Sequence, residues 1–449
     1  MSQFVVGYDS YAMQKESQKK DVTWDTSRLS NFHIGITGTS GSGKTHQIKR
    51  FLGALDPNVH IDIFDYHGDI DIVNASTVMF SEQTKYGYNP FVVNTDPHYG
   101  GLRKSANGII EIMGQSRKLG ENQEQVMRNL IMDCYEVKRI TPDNQHSWQR
   151  RDASEIECDA LYNQRNWQEL AKCFPTLLDL ERQIFRKLKL NMLGLDDNNK
   201  SKQALYALEG FMRVAKNAKQ AKMKGTRSGI NIEEIQANVD KAREKAIVEY
   251  TTAMNAIEDG NEFDDIIKYS SVETLQSLLT RVQNIRALGL FNANPPPFSG
   301  NIHRYFLKPM STSSHELKMF IFSRLMAIYH EEMQRGESGG KLRRIIVIDE
   351  AKKFSDDEAS NPINIIANEA RKFGIGLLLA GQSPDHLPPD FIRSAGTLLI
   401  QNLATDDWDK ASRKLKIDVK KLSYLTPRKN AMIRLLETGQ TSRWQNITF

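Results

Sequence analysis

The chain has 449 residues, enough for one large domain with insertions or for two to three smaller ones, and long enough to bury a core without staples. Its 39% hydrophobic and 26% charged residues are ordinary for a soluble globular protein, and a net charge of +5 from 60 basic and 55 acidic residues is too mild to establish a nucleic-acid partner. Three scattered cysteines, Cys134, Cys158 and Cys173, exclude a disulfide framework and a cysteine metal cluster and fit a reducing, cytoplasmic setting. The longest apolar run, near Ile375–Ala380, falls far short of a membrane span.

Residues 1–30 are polar, lack the apolar core of a signal peptide, and suit a small strand or hairpin. The segment NFHIGITGTSGSGKTHQIKRFL then reads strand (about Phe32–Thr37), glycine-rich turn, and helix from Lys44 to about Leu52. A second strand, His60–Asp65, completes a βαβ unit, so a parallel sheet with a right-handed crossover is expected. YGYNPF at Tyr86–Phe91 carries turn residues.

From about Pro97 to Gln283 the pattern is mainly helical. GENQEQVMRNLIMDCYEV predicts one amphipathic helix with Val126, Leu130, Ile131 and Cys134 on its buried side, and Phe174–Leu188 predicts another with Thr176 as its cap. A charged stretch at 200–260 reads as a helical hairpin or lid broken at Gly225–Gly229. Alternation of strand and helix returns after Pro295-Pro296-Pro297. It predicts strands at His303–Leu307, Arg344–Asp349, Gly374–Ala380, Thr397–Gln401 and Ala431–Leu436, with a helix at Ser314–Gln334. The expected fold is α/β: a P-loop NTPase of the RecA-like ASCE type, with one parallel sheet flanked by helices and a large helical insertion. The expected division is 1–30 (short N-terminal segment), 31–110 (first part of the core), 111–270 (insertion) and 271–449 (second part of the core).

Gly38-Thr39-Ser40-Gly41-Ser42-Gly43-Lys44-Thr45 matches Gly-x-x-x-x-Gly-Lys-Ser/Thr in full. Its glycines let the backbone aim several N–H groups at phosphate oxygens, and the helix N-terminus adds the positive end of its dipole. Lys44 is expected to reach the β- and γ-phosphates of ATP, and the Thr45 hydroxyl to ligate Mg²⁺. LRRIIVIDEAKKF is a buried β-former run that delivers Asp349 and Glu350 at its carboxyl end. Asp349 is expected to hold Mg²⁺ and Glu350 to accept a proton from the attacking water, although many strands end in an Asp that only caps the next helix. GIGLLLAGQSP ends at Gln382, whose amide suits a γ-phosphate sensor as well as a plain turn. Arg371 or Lys372 suits an arginine finger acting across a subunit boundary, or a cation at a helix C-terminus.

Together these segments resemble the HerA/FtsK superfamily of P-loop ATPases, especially HerA-like DNA translocases and the related type IV secretion ATPases. NFHIGITGTSGSGKT is similar to that family's strand and phosphate loop, IDIFDYHGDI to its second strand, and Tyr88-Asn89-Pro90-Phe91 to the turn beyond it. SVETLQSLLTRVQNIRALGLF resembles the helix before the third strand, and LTPRKNAMIRLLETG the strand that closes the fold. The order IIVIDEAKKF, then NEARKFGIGLLLAGQSP, is the most specific part. The resemblance spans roughly residues 20–110 and 270–445, and it implies Lys44, Thr45, Asp349, Glu350, Gln382 and Arg371 in the loop, acid-strand, sensor and finger roles. It also implies a homo-oligomer, a hexamer in that family's manner, acting on duplex DNA with a nuclease or other effector partner, while the short apolar runs imply no direct membrane insertion. About 30 residues precede the phosphate loop, too few for the β-barrel usual in HerA proteins, and a motor so stripped fits a mobile-element or phage-defence setting. A basic track at Arg213–Ser228, with Arg213, Lys216, Lys219 and Lys222 every third residue, offers a path for DNA phosphates or a solvated helix face, as does Trp408–Leu422.

Overall fold

The computed structural model describes every residue except 1, 97, 99, 115–117, 196–198, 225–231, 257–267, 270, 311–313 and 357. The chain divides into two compact units. One comprises Met1–Tyr88, Glu111–Lys118 and Leu288–Phe449, and the other Asn89–Ile110 and Leu119–Ala287. The chain passes from one unit to the other after residues 88, 110, 118 and 287, and the helix Val272–Ala287 belongs to the helical unit.

The first unit is built on one eleven-stranded sheet. Its strands are β1 (Gln3–Asp9), β2 (Asp21–Asp25), β3 (Ile34–Thr37), β4 (His60–Asp65), β5 (Ser76–Met79), β6 (Ile302–Phe306), β7 (Arg344–Ile348), β8 (Ile375–Gly381), β9 (Thr397–Ile400), β10 (Asn430–Leu435) and β11 (Trp444–Thr448). Their order across the sheet is β2-β1-β11-β10-β9-β3-β8-β7-β4-β6-β5. The seven strands from β9 to β5 are parallel. Every residue of β3, β7, β8 and β9 is buried, as expected for strands covered on both faces, which is why they read in sequence as unbroken apolar runs.

The expectation of a wholly parallel sheet is corrected at one edge. β10 runs antiparallel to β9, and β11, β1 and β2 extend the same antiparallel edge. After Ile400 the chain makes the short helices Trp408–Leu415 and Val419–Leu422 and then re-enters the sheet, without the crossover helix that a parallel return requires. β5 and β11 were not expected from the sequence. Each is short and has a single buried residue, so neither carries the apolar run that marks the central strands.

At the entry to β3, His33 is fully buried. Its Nδ1 accepts the Leu377 N–H at 3.0 Å, and its Nε2 donates to the Ala367 carbonyl at 3.2 Å, so the neutral ring uses both nitrogens. Burial pushes its pKa down to about 4, only partly opposed by the Ala367 carbonyl. The unfolded chain takes up this proton below about pH 6.5 and the folded chain does not. Stability is therefore undiminished above that pH and falls by about 3 kcal/mol as the pH drops toward 4. Thermal melts of the wild type should lose more between pH 7 and pH 5 than melts of His33→Gln, and equal losses would remove His33 as the cause.

The second unit is helical among the described residues. Val126, Leu130, Ile131 and Cys134 of the helix Glu121–Val137 are buried, as their spacing predicts. The helix Leu177–Leu193 starts on a capping box, in which Asp179 N–H donates to Thr176 Oγ1 and the Asp179 carboxylate accepts from Thr176 N–H at 2.9 Å. Asn89 anchors the start of the unit: its amide donates to Asp152 and to the Pro175 carbonyl, and its own oxygen accepts the Phe91 N–H. The charged stretch forms two helices packed on each other, Asn199–Lys224 and Ile232–Met254, and the break expected at Gly225–Gly229 lies outside the described residues. Among the described residues no helix is long and apolar enough to cross a membrane.

Candidate functional site

Parallel strands present all their carboxyl ends on one edge of a sheet, and ligands of open α/β folds bind outside that edge. Here the strand register brings four such ends together. Thr37 of β3 lies level with Gly381 of β8 on one side and Ile400 of β9 on the other, and Ile348 of β7 is level with Leu379 of β8. β8 thus stands between the strand that enters the phosphate loop and the strand that ends in Asp349, so Gln382 emerges between loop and acids.

The loop has the backbone that phosphate binding requires. Gly41 and Gly43 adopt φ of +77° and +108°, a region in which a side chain is strained. A Cβ on Gly38 would lie 2.6 Å from Ser42 Oγ. Gly38 N–H and Thr39 N–H are tied to the carbonyls of Gly381 and Asn402, and the buried Ser42 hydroxyl donates to Gln401 at 3.3 Å. The helix Lys44–Gly53 starts directly behind, capped by Gly43 without any side chain. Lys44 Nζ lies inside the loop, donating to the Gly38 and Thr39 carbonyls at 2.8 and 3.1 Å.

A cavity of about 760 Å³ opens on this loop. Ser40, Gly41, Gly43, Lys44 and Thr45 line it, and across from them stand Asp349, Glu350 and Gln382. Asp349 is buried, and burial followed by the negative charge of Asp69 pushes its pKa up to about 6. Burial holds the Lys44 ammonium below its usual range against the pull of Asp349, Glu350 and Asp69. Thr45 Oγ1 donates to Asp69 at 3.1 Å. Crowded carboxylates beside one hydroxyl, with one of them driven toward protonation, are the donor set that a hard dication relieves, so Thr45, Asp349 and Asp69 fit Mg²⁺.

Glu350 has a left-handed backbone, φ +57° and ψ +51°, uncommon outside glycine. That turn sends its carboxylate to within 3.4 Å of the Gln382 amide and 3.4 Å of His67. Gln382 N–H in turn donates to His386 Nδ1 at 3.2 Å.

Arg371 is not part of this cavity. It lies in the 3₁₀ turn Ala370–Phe373, before β8, whereas the cavity lies beyond the other end of that strand. Seven residues of strand put roughly 20 Å between Arg371 and Gln382. Arg371 is exposed, and among the described residues its guanidinium has no hydrogen bond or ion pair. Arg213, Lys216 and Lys219 are exposed on the helix Asn199–Lys224, and the side chains from Lys222 onward lie outside the described residues.

Asp69, His67, Gln401 and Arg428 also line the cavity, and no local motif marks them. His67 and Asp69 sit just after β4, where only the resemblance of IDIFDYHGDI as a whole points to the family. Gln401 ends the predicted strand Thr397–Gln401 and is buried against the loop. Arg428 has φ +61° and donates to the Gly41 carbonyl at 3.3 Å, from the connection that brings β10 back antiparallel.

Among solved structures the chain is similar in fold to VirB4 of Thermoanaerobacter pseudethanolicus, with a TM-score of 0.60 and 12% identity over 99% of this chain and 96% of that one. A shorter likeness is to the genome packaging NTPase B204 of Sulfolobus turreted icosahedral virus 2, with a TM-score of 0.25 and 15% identity over 34% of this chain and 69% of that one. No curated protein matches by sequence. The family model of the central domain of the helicase HerA matches residues 12–288, which ends before the acid strand; Asp349 lines the loop's cavity independently of that match. As that match covers more than half of its length, the chain belongs to the family described as the HerA helicase central domain.

Proposed function

We propose that this chain is an ATP-hydrolysing subunit of a homo-oligomeric ring, a hexamer in the manner of the HerA/FtsK motors, that moves duplex DNA. The observation that carries the reading is the meeting of Lys44, Thr45, Asp349, Glu350 and Gln382, from segments some three hundred residues apart, around one cavity.

The loop N–H groups and Lys44 bind the phosphates, and Lys44 neutralises charge that develops on them. Thr45 and Asp349, with Asp69 beside them, hold Mg²⁺, which when bound supplies a Lewis acid for the phosphate oxygens. Glu350 accepts the proton of the attacking water, and Gln382 orients that water and touches the terminal phosphate. Arg371, remote from its own cavity, completes the site of the next subunit. Movement of DNA rests on family membership together with the exposed Arg213, Lys216 and Lys219, and a nuclease or other effector partner and a role in phage defence rest on family resemblance.

The test is ATP turnover with and without duplex DNA, at two salt concentrations. The motor reading expects duplex to raise the rate several-fold, less at high salt, and Lys44→Ala to abolish turnover in both conditions. A rate indifferent to DNA, with no duplex binding at moderate salt, would overturn DNA translocation. It would favour a second reading, a secretion or conjugation ATPase, which accords with a fold likeness to VirB4 running the length of the chain. Slow, DNA-indifferent hydrolysis with a stable protein partner would point instead to an ATP-switched scaffold.

A further inference from the structure

At the end of β4 away from the nucleotide cavity, three metal-ligating side chains converge. His60 and Asp62 are two residues apart on β4 and so share a face, and His303 lies directly across from Asp62 on β6. His60 Nε2 is 3.3 Å from His303 Nδ1, and Asp62 Oδ1 is 3.7 and 3.8 Å from the two nitrogens. Ligand atoms each about 2.05 Å from a tetrahedral ion stand roughly 3.3 Å apart, so this triangle has nearly the size of one face of a zinc tetrahedron.

Three independent features support a ligand at its centre. Asp62 is 2% exposed, yet its Oδ2 has no hydrogen-bond partner, and its Oδ1 has the Tyr305 hydroxyl at 3.5 Å and the His60 ring at 3.7 Å, both long contacts. A carboxylate left so poorly paired in the interior is costly. His303 Nε2 lies 3.1 Å from the Gly300 carbonyl and Phe298 stacks on its ring, which orients the imidazole with Nδ1 facing His60 and Asp62, as outer partners of metal-bound histidines do. His60 and His303 also keep 20% exposure, leaving a side open for entry and for a water ligand. The nearby cation Arg344, 3.7 Å from Asp62 Oδ2, is balanced by Glu331 and Glu332 at 3.1 and 3.2 Å.

We propose that His60, Asp62 and His303 bind a divalent transition-metal ion of the zinc class, in a site separate from the nucleotide's Mg²⁺. Two nitrogens and one carboxylate oxygen select such an ion over Mg²⁺ or Ca²⁺. Bound there, the ion ties the start of β4 to β6; the far end of β4 carries Asp65 and leads into the turn that holds Asp69.

The experiment is calorimetric titration of the EDTA-treated full chain with ZnCl₂, with Co²⁺ as a spectroscopic probe and melting curves in parallel. The expected result is one ion per chain, a tetrahedral Co²⁺ absorption band, a raised melting temperature in the absence of nucleotide, and affinity lowered about tenfold or more in both His60→Ala and His303→Ala. Circular dichroism checks that each variant is folded, and either one suffices if the other is not. Absence of binding to the wild type, or binding undiminished in a folded variant, would overturn the site. Because the readouts need neither ATP nor DNA, failure here leaves the motor reading untouched, and failure of the motor reading leaves this site untouched.

Discussion

Glu350→Gln is expected to lower steady-state ATP hydrolysis by about 10²–10⁴-fold while nucleotide affinity changes by only a few-fold. The amide has the shape of the carboxylate and keeps the 3.4 Å approach to Gln382, so the cavity retains its form, but it cannot take a proton from water. The left-handed backbone at Glu350 sharpens the expectation. A φ of +57° at a non-glycine residue costs about 1 kcal/mol or more, and the surrounding structure sustains it because it aims this one side chain. Phosphate release measures turnover, and a fluorescent ATP analogue measures binding. A normal rate in this variant would remove Glu350 as the base, whereas loss of both rate and binding would assign it to holding the nucleotide.

The second large effect concerns Arg371. Arg371→Ala is expected to cost about 10³-fold in turnover with nucleotide binding by each chain intact, as for an arginine supplied in trans. The reason is placement: a guanidinium before β8 cannot reach a cavity beyond the other end of the same strand. The geometry allows a sharper test. In a mixture of Arg371→Ala and Glu350→Gln chains, each inactive alone, an interface that joins an intact Glu350 to an intact Arg371 is competent, so mixing should restore part of the activity. If Arg371→Ala hydrolyses normally, the residue is only a cation at the end of a short helix. If it is inactive but mixing restores nothing, the residue acts within its own chain and the trans reading fails.

Much of this architecture was legible in the sequence because it depends on local chemistry. The phosphate loop needs left-handed turns at Gly41 and Gly43 and a helix that begins at Lys44, and each requirement is written in residue type. The strands buried on both faces announce themselves as apolar runs, and the acids at 349 and 350 follow one such run directly. Asp69, Gln401 and Arg428 were not legible in the same way. Each is a common residue in a connection without periodicity, and each acquires meaning only from what folds beside it.

The sequence by itself determined that the chain carries a phosphate-binding turn, two acids at the end of a buried strand and a polar strand tip, because those follow from glycine stereochemistry and apolar patterning over a few residues. Tertiary structure alone decided that these pieces meet: strand order is set by packing and crossover handedness between segments hundreds of residues apart, which no local pattern records. The same long-range pairing sent Arg371 to the far edge of the sheet, and it set His303 opposite Asp62, where two unremarkable strands become a cluster of metal ligands.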